Sequence, residues 1–236
     1  MKHSKRYREL IANVEKKNYT LDEAIHTVKK LSTAKFNESI DLSVKLNIDP
    51  KKTDQQVRGI SNLPHGTGKQ KKILVLTKGE KEVEAKKAGA DYVGFDEYVE
   101  KIKKGWTDVD VVIATPDIMA DVGKLGKILG PKGLMPSPKV GTVTFEVGKQ
   151  VIALKKGKVE FKSDKTGCIN IPVGRASFET EKLRENIITF WVDLNNVKPQ
   201  GVKGKYIKSV VLSSTIGPAI MIDEKDLADL LRKGGI

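Results

Sequence analysis

The alternation of apolar and polar residues is strictest in the stretch ESIDLSVKLNID, residues 38–49. Its apolar positions are Ile40, Leu42, Val44, Leu46 and Ile48, and its polar positions are Ser39, Asp41, Ser43, Lys45 and Asn47. A period of two residues predicts a β-strand with one buried and one solvent-facing side. Lys45 belongs to the solvent-facing side, where it is available to a partner.

Apolar residues with a helical period precede this strand. They predict a helix over residues 4–17 and a second over residues 20–32. In the second, Thr20 and Glu23 have the spacing of a capping box, in which each side chain bonds to the other residue's backbone N–H. The second helix is therefore expected to begin close to Thr20.

The same mixture of strand and helix patterns returns in the last third of the chain. A helical period over residues 180–197 places Trp191 on the apolar face, so we expect this residue in the core rather than at a binding site. Short apolar or alternating runs predict strands at residues 158–163, 167–172, 205–213 and 219–222.

The middle of the chain follows a different pattern, in which short apolar runs alternate with charged helical segments. The runs predict strands at residues 72–77, 92–94 and 109–114, and the segments predict helices at 80–88, at 96–104 and from 117 onward. Strands that alternate with helices in this way favour a parallel sheet of the Rossmann-like type.

These patterns predict an α/β protein of two domains, in which one domain interrupts the other. The outer domain is of α/β (α+β-like) type and is built from both chain ends, residues 1–66 and 158–236. Residues 67–157 form the inserted Rossmann-like, three-layer domain, entered at NLPHGTGKQ and left at KKGK. A length of 236 residues suits two domains of ordinary size.

Composition points to a polyanionic partner. Lysine and arginine number 43 against 30 acidic residues, a formal charge of +13. Between Lys124 and Lys158 there are eight lysines and a single acid, Glu146. Such clustering is typical of a nucleic-acid-binding surface, although a solvated basic face gives the same pattern.

Composition also argues against several classes of protein. Cys168 is the only cysteine, and the three histidines lack the spacing of metal ligands, so neither a disulfide nor a metal site is predicted. No apolar run approaches the roughly 20 residues of a membrane helix, and the first residues lack the apolar core of a signal peptide. We expect a cytoplasmic protein without a membrane partner.

An enzyme that binds a nucleotide is the competing hypothesis, because Rossmann-like sheets often hold one. The stretch PHGTGKQ resembles a phosphate-binding loop, but Gln70 stands where a hydroxyl is needed and a strand follows where a helix should, so we interpret it as a flexible hinge. The carboxylates Asp108, Asp110 and Asp117 flank a predicted strand and are more simply turn and helix-start residues. No catalytic group and no cofactor are predicted.

The stretch LGKILGPKGLMPSPKVG, residues 125–141, concentrates glycine and proline with the lysines Lys127, Lys132 and Lys139. Glycine permits close approach of the backbone to a partner, and proline fixes an extended path. The lysines could neutralise phosphates, or the run could simply be a long connection. Its composition does not decide between these alternatives.

Two shorter stretches carry residues suited to RNA. In TAKFNES, Lys35 and Phe36 place a cation beside an aromatic ring between a helix and a strand. Phe36 either packs on the end of the helix or is offered to a base. In SSTIGPAIMI, Thr215, Gly217 and Pro218 form a tight connection with hydroxyl and backbone groups that suit a ribose.

Together these stretches resemble one family, the bacterial-type large-subunit ribosomal protein L-one, which builds the mobile rRNA stalk of the ribosome. The resemblance covers nearly the whole chain. The matching segments, in family order, are TAKFNES, NIDPKKTDQQVRGISNLPHGTGK, GADYVG, ATPDIMADVGKLGKILGPKGLMPSPKVGTV, FKSDKTGCINIPVG and TIGPAIMI.

The resemblance implies a non-enzymatic, ribosome-associated protein, monomeric when free. It implies an outer domain that binds the three-way rRNA junction of the stalk near the tRNA exit site, with exit-site tRNA and its own mRNA leader as further partners. Ile216 stands where the family commonly has methionine. By matching motif positions, the RNA-facing residues would be Lys35, Phe36, Lys45, Lys162, Asp164, Lys165, Thr166, Thr215, Gly217 and Pro218, with secondary contacts from Lys127, Lys132 and Lys139.

Overall fold

The computed structural model describes residues 4–50, 52–202 and 204–233. The chain has an α/β fold and separates into two compact units. Unit 1 combines the segment up to Gly68 with the segment from Gly157 onward, and unit 2 is Lys69–Lys156.

The helices and strands of the described residues follow one another along both units. In chain order they are α1 (Lys5–Ala12), α2 (Leu21–Leu31), β1 (Ser39–Leu46), β2 (Arg58–Asn62), β3 (Ile73–Leu76), α3 (Glu80–Lys87), β4 (Tyr92–Gly94), α4 (Asp96–Lys103), β5 (Val111–Ala114), α5 (Met119–Lys124), α6 (Gly126–Leu129), α7 (Val147–Lys156), β6 (Lys158–Lys162), β7 (Cys168–Arg175), α8 (Thr180–Asn196), β8 (Ile207–Ser214), β9 (Ala219–Ile222) and α9 (Glu224–Lys233).

Unit 1 is organised around a four-stranded antiparallel sheet in the order β7-β1-β8-β9. The alternating stretch of residues 38–49 contains β1, whose burial alternates at every residue. The apolar side of the sheet shares one core with α2 and α8, including Trp191, which is 3% exposed. A separate antiparallel pair, β2 with β6, completes the unit's strands.

The predicted start of α2 is confirmed. The Thr20 side chain accepts a hydrogen bond from the N–H of Glu23, and the Glu23 carboxylate accepts one from the N–H of Thr20. This reciprocal pair satisfies N–H groups that would otherwise lack partners at the helix start.

The first predicted helix is shorter than its pattern indicates, because α1 ends at Ala12 and not near residue 17. The reason lies in Tyr19, whose backbone N–H donates to the carbonyl of Met221 in β9, 2.9 Å away. Its hydroxyl also accepts the N–H of Glu15. These bonds draw the chain out of the helix and against the edge of the sheet.

Unit 2 has the predicted parallel sheet, with three strands in the order β4-β3-β5. Every residue of β3 is buried, as expected for the central strand of a sheet covered on both faces. One face packs on α3 and α7, and the other on α4, α5 and α6. Unit 2 is therefore three-layered.

Three elements, α7, α9 and the short strand β2, were not predicted from the sequence. The glycine–proline run, whose composition left open a phosphate-neutralising segment or a long connection, contains α6 and a 3-10 turn at Pro138–Val140. Leu129 of this run is fully buried, so its first half belongs to the core of unit 2.

Candidate nucleic-acid interface

The loop that carries Phe36 and the turn that carries Thr215 meet at the start of β1. The backbone N–H of Thr215 donates to the carbonyl of Ser39 at 3.1 Å. In return, the N–H of Ser39 donates to the hydroxyl oxygen of Thr215 at 2.9 Å. Two segments that are far apart in the sequence are thus joined at one end of the sheet.

Glu38 holds this junction from inside, with 1% of its surface exposed. Its carboxylate accepts the N–H of Ala34 at 3.0 Å and the N–H of Ile216 at 3.2 Å, and the guanidinium of Arg6 lies 3.7 Å away. Burial by itself raises the pKa of Glu38. The nearby Ser214 hydroxyl and the two N–H groups outweigh that effect, so the pKa lies below its ordinary value of 4.5.

The side chains at this junction differ in exposure. Phe36 is 54% exposed, so about half of its surface remains open to a partner, and Ile216 is 43% exposed. Lys35 and Thr215 are also exposed, whereas Pro218 is buried. Pro218 therefore supports the turn in the free protein instead of facing a partner.

Gly217 in the same turn is required by packing. A Cβ atom at this position would lie 2.4 Å from the hydroxyl oxygen of Ser214. Because Ser214 is 4% exposed, its side chain has little room to move. The glycine lets the backbone of the turn approach β8. We call the junction residues Lys35, Phe36, Thr215, Gly217 and Pro218 cluster A.

A second group of predicted residues lies at the opposite end of β1. The ammonium of Lys45 donates to the carbonyl of Thr166 in the turn between β6 and β7. In that turn, Asp164 accepts the N–H and the hydroxyl of Thr166, both at 2.7 Å, and the N–H of Cys168 at 2.8 Å. We call Lys45, Lys162, Asp164, Lys165 and Thr166 cluster B.

Asp164 has a structural role that the motif alone did not reveal. The N–H of Cys168 and the hydroxyl of Thr166 lower the pKa of Asp164 below its ordinary value. This carboxylate therefore stays ionised and closes the turn, while Lys162, Lys165 and Thr166 are exposed around it. Its contribution to a partner would be to shape the turn.

The predicted set is thus divided between two places. Ser39, which bonds to Thr215 of cluster A, and Lys45 of cluster B lie near opposite ends of β1. At the ordinary rise of a strand they are about 20 Å apart. The sheet face between them is exposed or half-buried. In register with Ser43 this face presents Asn170 and Val211, and in register with Lys45 it presents Cys168 and Ser209.

This open face was only partly found from the sequence, whose alternation gave the solvent-facing residues of β1 but not those of the neighbouring strands. Asn170, Ser209 and Ser213 lie on neighbouring strands and carry small polar groups to the same side. Asp41 is the acidic member, and burial raises its pKa, partly opposed by Arg175. The alternation of apolar and polar residues in β7 and β8 indicates which side of each strand is exposed. It does not indicate which strands pair with one another.

Two of the three secondary lysines of the glycine–proline run have described side chains. Lys127 is exposed, and the ammonium of Lys132 donates to the hydroxyl oxygen of Thr107. The side chain of Lys139 lies outside the described residues. Two further lysines of the charged stretch are already in ion pairs, Lys124 with Asp121 at 2.7 Å and Lys149 with Glu146 at 3.0 Å.

Two of the three carboxylates considered for catalysis, Asp108 and Asp110, have structural partners. The carboxylate of Asp110 accepts hydrogen bonds from the ammonium of Lys69 at 2.6 Å and from the backbone N–H of Lys72 at 3.0 Å. Asp108 forms an ion pair with the ammonium of Lys72. Across the described ranges, no group of three or more histidine, cysteine or acidic residues could hold a metal ion. In the same part of the chain, no helix has the length and apolar character needed to cross a membrane.

The stretch interpreted as a flexible hinge is fastened to unit 1. The amide of Asn186 in α8 accepts the N–H of His65 at 3.1 Å and donates to the carbonyl of Gly66 at 2.9 Å. On the returning strand, the carbonyl of Gly157 accepts the N–H of Leu63 at 3.3 Å. A Cβ atom on Gly157 would lie 2.6 Å from the Cα of Gly66, so only glycine allows this approach.

Comparison with known proteins agrees with the motifs and the geometry. Residues 28–218 match the model of the ribosomal protein L1p/L10e family. The chain belongs to this family. The finding confirms the resemblance that TAKFNES, FKSDKTG and TIGP indicate.

Several relatives are similar over almost their full length, and each is named large ribosomal subunit protein uL1. The protein of Kosmotoga olearia is 53% identical over 97% of this chain and 99% of its own. That of Thermosipho melanesiensis is 56% identical over 96% of this chain and 98% of its own. The Thermus thermophilus protein is 53% identical over 94% and 98%, respectively.

The family consists of structural ribosomal proteins and not of enzymes. The competing hypothesis of a nucleotide-binding enzyme is therefore not retained. The Rossmann-like sheet of unit 2 carries no function by its fold alone.

Proposed function

We propose that this chain is a structural protein of the large ribosomal subunit that binds rRNA through unit 1. The observation that carries the proposal is the junction at Glu38, which joins the exposed Phe36 loop to the Thr215 turn. A buried carboxylate that fixes the loop carrying an exposed aromatic ring to the turn carrying an exposed hydroxyl prepares a surface for a specific partner. Membership of a ribosomal protein family supports RNA as that partner.

Each part of the surface suits a different part of an RNA. The ring of Phe36 offers a flat apolar face on which an unpaired base can stack. The hydroxyl of Thr215 is within reach of a ribose 2′-OH bound at the same turn. Lys45, Lys162 and Lys165 at cluster B are placed to neutralise phosphates about 20 Å away. Recognition would then combine base stacking at cluster A with phosphate neutralisation at cluster B, the electrostatic end of the surface.

The more detailed proposal follows the family resemblance. The RNA is the three-way junction of the rRNA stalk near the tRNA exit site, and the bound protein assists release of deacylated tRNA on cytoplasmic ribosomes. A similar fold in its own mRNA leader would bind the same surface and repress translation. The binding domain would comprise residues 1–66 and 158–236, with residues 67–157 inserted, and the free protein would be a monomer.

The test compares two RNAs of equal length, a three-way-junction fragment of the stalk rRNA and a generic duplex, across a salt series. The dissociation constant of each is measured with the full chain. Specific recognition predicts that junction binding persists at a salt concentration that abolishes duplex binding, because only the electrostatic part is lost with salt.

Equal affinities and equal salt slopes for the two RNAs would overturn the proposal. Such a result would mean that the basic charge of the chain binds any nucleic acid, and that neither cluster reads the shape of the junction.

A further inference from the structure

Unit 2 carries an aromatic cavity that the proposed function leaves without a role. Tyr92 at the start of β4, Tyr98 in α4 and Trp106 after α4 form a triangle of rings. The ring centroids of Tyr92 and Trp106 are 5.2 Å apart, those of Tyr98 and Trp106 5.7 Å, and those of Tyr92 and Tyr98 5.9 Å. With Lys101 and Lys104 they line a cavity of about 360 Å³.

The three rings are only half-buried, although they pack against the core of unit 2. Gly94 permits the arrangement, since a Cβ atom there would lie 3.3 Å from the ring of Tyr98. Rings that served the core alone would be covered. These instead leave an open, aromatic-walled cavity near the lower end of the size range of ligand pockets, about 300–1,000 Å³.

The rim of the cavity is positively charged. The ammonium of Lys101 lies 4.9 Å from the centroid of Tyr98 and is paired with Glu97. Lys104 is exposed and forms no ion pair within the described part of the chain. One cation is thus neutralised inside the protein, while the other remains available for an anionic group of a ligand.

We propose that this cavity binds one unpaired nucleobase of a single-stranded RNA segment, with the neighbouring phosphate held by Lys104. Aromatic walls stack on any base, and a lysine at the rim neutralises the backbone that accompanies it. An uncharged aromatic peptide would fill the cavity but leave Lys104 unmatched. A chain with a formal charge of +13 further favours a polyanion. The residues of this site belong to unit 2, whereas those of clusters A and B belong to unit 1.

Trp106 reports directly on occupancy. The chain has one other tryptophan, Trp191, which is 3% exposed in the core of unit 1. A short single-stranded oligoadenylate is titrated into the full chain while tryptophan fluorescence is recorded. We expect saturable quenching, its loss in Trp106→Phe, and no comparable quenching by duplex RNA, whose bases are already stacked.

The titration is performed with a Phe36→Ala/Thr215→Ala double variant as well as with the unaltered chain. Quenching that persists in the double variant assigns the signal to unit 2 and not to cluster A. Failure of the proposed junction recognition would leave this result unchanged, so the two proposals are tested independently.

Variants of the cavity residues test whether stacking and a phosphate contact account for binding. Tyr98→Leu should weaken oligoadenylate binding by about fivefold or more, the effect of losing a stacking ring. Lys104→Gln should lower the salt slope by about 0.7, the value for one phosphate contact on a single strand. The matched control is Lys86→Gln, which alters an exposed lysine of α3 and should change neither quantity.

Absence of quenching, equal quenching by duplex RNA, or an unchanged affinity and slope in Lys104→Gln would overturn the proposal. The last measurement remains informative even if Tyr98→Leu fails to fold, because Lys104 is exposed and its side chain is not part of the core.

Discussion

The carboxylate of Glu38 accepts the backbone N–H of Ile216 at 3.2 Å, across 178 positions of sequence. The same carboxylate accepts the N–H of Ala34 on its other side. The loop before β1 and the turn after β8 therefore depend on one buried side chain for their mutual position. The proposed recognition surface is thus positioned by a residue that is itself too buried to touch a partner.

Glu38→Gln tests this dependence. Glutamine keeps the size of the side chain but replaces a charged acceptor with a neutral one. Since hydrogen bonds to a charged group contribute roughly 1.5–3 kcal/mol, we expect the free energy of unfolding at neutral pH to fall by about 1–3 kcal/mol. Junction RNA affinity should fall with it, as measured under conditions where the variant remains folded.

The pH dependence of stability provides an independent signature of Glu38. Its folded pKa is lowered below the ordinary value of 4.5, so the unfolded chain takes up the proton at a higher pH than the folded one. The stabilisation is complete above that ordinary value and is lost as the pH falls through the lowered pKa. In urea titrations at descending pH, Glu38→Gln should lose less stability than the unaltered chain. Parallel curves would contradict the assignment.

Phe36→Ala should separate binding from folding. The ring is 54% exposed, so its removal should change the free energy of unfolding little. Loss of a stacked base should cost roughly 1–3 kcal/mol on the junction RNA and much less on the duplex. Val192→Ala is the control, because this side chain is 36% exposed on α8 outside both clusters. Equal losses on both RNAs would remove Phe36 from the recognition set.

Lys45→Ala should act on the electrostatic end of the surface. If its ammonium meets a phosphate, affinity should fall for junction and duplex alike, and the salt slope should flatten by about 0.7–0.9. Because the ammonium also bonds to the carbonyl of Thr166, a small loss of stability is expected. Isothermal binding at several salt concentrations gives the slope. A slope equal to that of the unaltered chain would exclude the phosphate contact.

Asn186→Ala should destabilise unit 1 more than a typical polar substitution in a helix. It leaves the buried carbonyls of Gly66 and Val173 and the N–H of His65 without their partner. At roughly 1–3 kcal/mol for each unsatisfied buried group, the loss should reach about 2 kcal/mol or more. Chemical denaturation measures it.

The control for this change lies two turns along the same helix. The amide of Asn195 donates only to the carbonyl of Trp191 within α8, and the residue is exposed. Asn195→Ala should therefore cost less than about 1 kcal/mol. A loss as large as that of Asn186→Ala would show that the effect does not depend on the fastening of the His65–Gly66 stretch, since alanine has the higher helix propensity and cannot itself cause a loss.

Elements with a strong local pattern were predictable from the sequence. The alternation of β1, the capping box at Thr20 and the parallel strands of unit 2 are confirmed, because each depends on neighbouring residues. The strand β2 was missed because its sequence RGISN has no alternation, and it forms by pairing with β6. Its stability comes from a partner about a hundred positions away, which a local pattern does not contain.

The site was predictable in its parts but not in its arrangement. Motifs led to Phe36, Lys45 and Thr215, and their contact with RNA stays a prediction. No local signal led to Glu38 or Asn186, since a polar residue beside a strand or within a helix normally faces water. Their roles depend on backbone groups that come from distant parts of the chain.

The pairing of Asn62 with Lys158 puts the last residue of β2 opposite the first residue of β6. To unit 1, the whole of unit 2 therefore occupies the position of the loop in a β-hairpin. The entropy of closing such a loop rises only with the logarithm of its length. The size, shape and charge of unit 2 could therefore change during evolution without altering the strand registers of unit 1.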